Sequence, residues 1–252
     1  MAEYFGQISQ QFATVNAALL PRTYDRPVSA LMQQQIVDPL TEMKKPRSSV
    51  TADPLTRFVN VHATEFAPVL ERIYNLVRRG AEWPRLWRTE EVTVIPKGNE
   101  DAVESLDGCR NISCTSIFSK LLEAYMLDGI QSEVTLDKNQ YGGQRGCGTD
   151  HLLAEMVTNT MHNLDDNRAV DTIISLNFRK AFNKMDHTIC LRSLAAKGAD
   201  NQTLRLVCSF LSERRMNGQA WRIPLHRDAG SWRSAAGHKV RKLLRLCDGR
   251  WH

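Results

Sequence analysis

Apolar positions in the first third of the chain recur mostly at helical spacing. Residues 1–45 predict a short helical region: Leu31, Met32, Ile36, Val37 and Leu40 share a face, and Pro39 cuts across it. The stretch "KKPRSSVTADP", 44–54, is a linker by composition. The clearest helix follows, with Leu55, Phe58, Val59, His62, Phe66, Val69, Leu70, Ile73, Tyr74 and Val77 on one stripe. Pro68 predicts a kink in it and Gly80 a C-terminal stop. His62, on that stripe, reads as a core histidine rather than a ligand.

Further on the period changes. "EEVTVIPK", 90–97, is strand-like and ends at Pro96. A helix starts near Ser116 and runs through Ile117, Leu121, Leu122, Met126 and Ile130. The glycine-rich "YGGQRGCGTDH", 141–151, puts Thr149 or Asp150 in position to cap a helix carrying Leu152, Leu153, Met156, Val157 and Leu164. Strict alternation then predicts a strand over 170–178, with Val170, Thr172, Ile174, Leu176 and Phe178 on one face. Two more helices read at about 181–196 and 202–213, and neither period is sustained after Met216. No internal repeat is visible. Helices and strands mix without βαβ alternation, so the predicted class is α+β.

Composition narrows the picture. At 252 residues and 42% hydrophobic, the chain has enough apolar mass for a proper core. No apolar run approaches the roughly 20 residues of a membrane span, and no secretory leader is visible. The expectation is an intracellular protein of nucleus or cytoplasm, with no membrane partner. Six scattered cysteines without a C-x-x-C pair read as reduced thiols, and Cys147 with His151 is one loose pair, so no zinc is expected. The net charge of +5 is uneven. From Arg214 onward ten Lys/Arg stand against Asp228 and Asp248, a net of +8, which leaves −3 for the rest. A basic tail binds nucleic acid by neutralising phosphates, although a solvated, partly disordered end is the blander reading.

Candidate chemistry is sparse. "GQRGCGTD" lacks phosphate-loop spacing, because Thr149 and Asp150 stand where Lys and Ser/Thr belong, so alone it reads as a turn. Lys97 and Arg110 are of the type that clamps a triphosphate, yet each alone reads as a surface charge. In "TIISLNFRKAFNKMDH", 172–187, a β-branched run ends in the position where metal-dependent nucleotidyl transferases present a carboxylate, although the segment alone reads as an ordinary strand-to-helix junction. The residue there is Asn177.

These pieces occur together and in order. "VTVIPK" after Trp87, "GCRNISCTSIFSKLLE", "QYGGQRGCGTDHLL" and "SLNFRKAFNKMDH" resemble, in sequence, four running segments of the reverse transcriptase domain of non-LTR (LINE-like) retroelements. Upstream, "MKKPRSSVTADPLTRFV" and "WPRLWR" are similar to the segments that precede that domain. The resemblance covers roughly residues 3–216. It implies a partial right-hand polymerase, with fingers and the start of a palm over 90–216, a helical extension over 1–89, and an unrelated, disordered basic tail over 217–252. It also implies template-primer RNA or DNA and a dNTP as partners, and Mg²⁺ as cofactor. Asn177 falls on the first metal-binding Asp, Phe182 on the aromatic that screens the ribose 2′ position, Arg110 on a fingers Arg at the triphosphate, and Lys97 on a fingers Lys. Gln140, Gly142 and Gly146 fall near the template.

The departures are chemical. Asn177 offers one neutral carbonyl oxygen where two Mg²⁺ ions need an anionic bridge. Asp171 lies six residues back, about 20 Å along a strand at ~3.3 Å per residue, and Asp186 sits beyond the next turn. Cys109 and Asn111 replace the family's Tyr and Pro beside Arg110. After "FLSERRM" neither "G.PQGS" nor a "Y/F-A/V-D-D" hairpin appears, and residues 217–252 read as unrelated sequence. The expectation is a catalytically inactive reverse transcriptase domain that does not bind Mg²⁺ productively. The alternative is a non-catalytic nucleic-acid-binding remnant. Oligomeric state stays open.

Overall fold

Ile36 and Leu40, four residues apart on helix α1 (Gln33–Thr41), are both fully buried. The computed structural model describes residues 23, 25–27, 29–42, 54–96, 109–144, 146–165, 171–177 and 185–219, with backbone only for 54–56, 93–96, 109–111 and 217–219. Pro39 lies inside α1 and removes the N–H that the Gln35 carbonyl would otherwise receive. The Tyr125 hydroxyl donates to that carbonyl instead. A tertiary contact thus makes the internal proline tolerable.

The single helix expected over 55–77 is two: α2 (Pro54–Val61) and α3 (Ala63–Gly80). The break falls at His62, not at Pro68, which α3 contains. His62 is half-exposed, 3.6 Å from Glu65 and in ring contact with Phe58 at 4.7 Å, so it is not the core histidine expected. Along α3, Ala63, Ala67, Leu70, Tyr74 and Val77 are buried at spacings of three and four, which is one helical stripe. The stop also shifts. Gly80 is the last helical residue, and Ala81 takes the left-handed conformation at φ 51°.

A 3₁₀ turn (Arg85–Arg88) leads into strand β1 (Thr89–Pro96), as the "EEVTVIP" pattern predicts. β1 pairs antiparallel with β2 (Cys109–Cys114) and parallel with β3 (Arg215–Gln219), in the order β2-β1-β3. Helix α4 (Ile117–Glu133) is capped by the Ser116 hydroxyl, which accepts from the Ser119 N–H at 3.2 Å. Helix α5 spans Thr149–Asp165. Neither expected cap is used there: the Gly148 carbonyl accepts from Leu152 N–H, and Thr149 and Asp150 fall in the first turn, where Asp150 suits the helix dipole. Helices α6 (His187–Ala196) and α7 (Asn201–Leu211) are capped by Asp186 and Asp200.

The strand expected over 170–178 is not formed where the chain is described. Residues 171–177 have no regular structure and are exposed throughout. Alternation gives a strand only when a neighbouring edge supplies hydrogen bonds, and the sheet is completed by β3 instead. β3 itself crosses the Met216 position beyond which no period was legible.

Aromatic rings dominate the core. Trp83 meets Phe210 edge-on at 4.8 Å, Tyr74 meets Trp87 at 5.8 Å, and Trp87 stacks on Phe118. The Tyr74 hydroxyl donates to the Phe118 carbonyl at 3.0 Å, and burial pushes its ionisation far up. Beside this core, Arg88 donates twice to the Trp83 carbonyl and once to Ser209 Oγ, and pairs with Glu213 at 3.0 Å. Glu90 pairs with Arg214, whose guanidinium lies 4.5 Å from the Phe210 ring centroid. These crossed pairs fasten β3 to the start of β1. Cys114, Cys147 and Cys208 are free, as expected. Cys190 is buried at 2% exposure.

Candidate nucleotide- and template-binding site

The segment between α4 and α5 is a string of turns, because Asp, Asn and Gly succeed one another there. Asp137 Oδ1 accepts from Asn139 N–H at 2.9 Å, and the Asp137 carbonyl accepts from Gln140 N–H at 3.0 Å. Gln144 Nε2 donates back to the same carbonyl at 3.2 Å. Gly143 and Gly146 have φ of 89° and 77°, which side chains disfavour. Gln131, on the last turns of α4, donates to the Gly143 carbonyl at 3.2 Å and fixes the loop to the helix. These bonds tie the described part of the loop to itself and to α4.

Of the predicted template-side residues, Gln140 is half-buried and donates to the Gly142 carbonyl at 3.3 Å, while Gly142 and Gly146 are exposed on the same loop. An open cleft of about 1000 Å³ lies against this loop, lined among others by Gln131, Ser132, Lys138 and Gln144, with Asp128 at one side. Gln144 lies within the stretch 140–148 that the resemblance puts near the template, whereas Gln131 carried no such signal, because periodicity says nothing about an amide side chain that bonds to backbone.

The nucleotide side is less complete. Arg110 lies on β2 with its Cα opposite Ile95, and Val94 is opposite Asn111, so the hairpin brings Arg110 near the end of β1. The Arg110 side chain, Lys97 and Phe182 lie outside what is described. Asn177 is exposed at the end of 171–177.

Among the described residues, Asn177 does not by itself supply the anionic bridge that a pair of Mg²⁺ ions requires. Asn177 is an uncharged amide and Asp171 lies on the same exposed stretch. Asp186 is committed to its helix: its Oδ1 accepts from Thr188 N–H at 2.7 Å and Ile189 N–H at 3.2 Å. Asp200 likewise accepts from Thr203 N–H at 2.7 Å.

No helix among the described residues is long and apolar enough to cross a membrane. No family model matches the chain. Over 131 residues it is 28% identical to the retrovirus-related Pol polyprotein from type-1 retrotransposable element R2 of Popillia japonica. That match covers 52% of this chain but only 18% of the polyprotein. The similarity supports a protein derived from a non-LTR retrotransposon.

Proposed function

We propose that this chain is a reverse transcriptase domain remnant, comprising fingers and the start of a palm, that does not itself polymerise DNA. The ordered series of four motif segments supports the domain reading, and the similarity to the R2 polyprotein is in keeping with it. The observation that carries inactivity is Asn177, an amide within an otherwise well-matched "SLNFRKAFNKMDH". A neutral oxygen does not replace a bridging carboxylate on two divalent ions. Primer extension on an RNA template, with Mg²⁺ or Mn²⁺, is the test. No product above a no-protein control is expected, and metal-dependent extension would sink the reading.

The cleft beside the glycine loop favours a second reading, nucleic-acid binding without turnover. Lys138 supplies charge there, and Gln131, Ser132 and Gln144 supply uncharged hydrogen-bonding groups. Residues 220–252, where eight Lys/Arg stand against Asp228 and Asp248, add a further phosphate-neutralising stretch. RNA binding measured against salt tests this reading. Affinity should fall steeply with salt, and deleting residues 220–252 should flatten that dependence. Salt-independent binding, or none, would remove it.

A further inference from the structure

We propose that the shelf between the C-terminal end of α3 and the N-terminal end of α7 is a peptide-docking site that reads an extended backbone, and that the segment from Thr23 to Leu31 occupies it in cis. Two asparagines each take both main-chain groups of one residue. Asn201 Oδ1 accepts from Thr23 N–H at 2.8 Å while its Nδ2 donates to the Thr23 carbonyl at 2.8 Å. Asn75 Oδ1 accepts from Leu31 N–H at 2.8 Å while its Nδ2 donates to the Leu31 carbonyl at 3.0 Å. Between them, Arg78 Nη1 donates to the Ser29 carbonyl at 2.7 Å. An amide that satisfies both the N–H and the C=O of a residue does for an extended chain what a neighbouring strand would do, and it ignores the side chain.

The platform is rigid. Gln202 Nε2 donates to the Arg79 carbonyl at 2.8 Å and also to the Arg78 carbonyl, which ties the start of α7 to the end of α3. Among the described residues of the segment, 25–27, 29 and 30 are exposed, Thr23 is half-buried and Leu31 is buried. The bonds to Thr23 and Leu31 are part-buried, while those to Ser29 and Asp25 are exposed, so the middle of the segment is its weakest-held part. Side-chain preference is confined to a few points. Thr23 Oγ1 bonds to Asn201 Oδ1 at 3.1 Å, and Asn201 Nδ2 donates to Asp25 Oδ1 at 3.0 Å. Burial raises the Glu133 carboxyl at the end of α4, and the Arg26 charge, the least of the influences on it, opposes that. The ligand is thus an extended peptide with a Ser or Thr, an acid two residues on, and an apolar residue eight on.

The probe is a fluorescent peptide of sequence TYDRPVSAL, titrated with the full chain and read by anisotropy. The tethered segment competes at high effective concentration, so the unmodified chain should bind it weakly. Thr23→Pro removes the N–H and hydroxyl that engage Asn201, and should raise peptide affinity at least about tenfold. Adding Asn201→Ala to that chain should abolish the gain. Arg26→Glu, which leaves the backbone contacts in place, should act in the same direction and serves if the proline variant does not fold. Equal affinity for the unmodified and both released chains would overturn the proposal, as would a gain that survives Asn201→Ala.

Discussion

Gly198 and Ala81 end two helices in opposite ways. Gly198 closes α6 at φ 106°, with its N–H on the Ala195 carbonyl and the next N–H, of Ala199, on the Leu194 carbonyl. A Cβ there would sit 3.3 Å from the Glu133 carbonyl oxygen. Gly198→Ala should therefore cost roughly 1–3 kcal/mol, from the strained φ and the close approach together. Ala81, by contrast, holds a left-handed conformation that glycine adopts freely. Ala81→Gly should stabilise by about 0.5–1 kcal/mol. Thermal denaturation of both variants checks the pair, and equal shifts of the same sign would contradict the account.

Helix α4 and helix α5 are both 17 residues long, and they differ in what their apolar residues meet. Leu122 on α4 is fully buried, whereas Leu164 on α5 is 58% exposed and α5 buries nothing among the described residues. Leu122→Ala should cost about 2–5 kcal/mol, and Leu164→Ala less than about 0.5 kcal/mol. Chemical denaturation measures both; a comparable loss for Leu164→Ala would mean that α5 packs against something. β3 depends on a different interaction. Glu90 and Arg214 are each less than a tenth exposed in their side chains, so removing the carboxylate strands a buried guanidinium. Glu90→Ala should cost roughly 3–5 kcal/mol and speed tryptic cleavage at Arg214 and Arg215. Unchanged cleavage would mean the pair does not hold β3. The Arg88–Glu213 pair has its carboxylate 57% exposed, and so contributes under about 1 kcal/mol by itself.

Across the whole molecule, two groups give stability opposite slopes with pH. Burial pulls the His187 imidazole below its ordinary value of 6.5, Asp186 opposes that, and Arg214 adds to it. Its folded value being depressed, the stability it supports is complete above the unfolded value and is lost as pH falls through the folded one. Burial and then the Asp200 charge push the Glu133 carboxyl up from 4.5. Its folded value being raised, its contribution is present below the unfolded value and is lost as pH rises through the folded one. His187→Gln should flatten the loss of stability seen on acidification below about pH 6.5, as followed by urea denaturation at a series of pH values. An unaltered profile would assign the acid sensitivity elsewhere.

Local chemistry was legible without a structure wherever one element sufficed. The α4 start at Ser116, the burial of Leu70, Tyr74 and Val77 on α3 and the β1 run up to Pro96 all follow from spacing and capping within a few residues, whereas Val69, on the same predicted stripe, is exposed. The motif order that supports a retroelement origin is likewise a property of the sequence, as is the amide at Asn177. Tertiary structure decided the rest. Residues 171–177 alternate as a strand should, yet they form none, because pairing depends on an edge that lies elsewhere in the chain. "RMNGQ" carries no strand pattern and becomes β3 because Arg214 and Glu213 meet Glu90 and Arg88 more than 120 residues away. The docking of the Thr23–Leu31 segment was equally invisible, since Asn75 and Asn201 bond to main chain and leave no periodic trace. Periodicity records which side chains avoid water; it does not record which distant backbone or charge a polar side chain will meet.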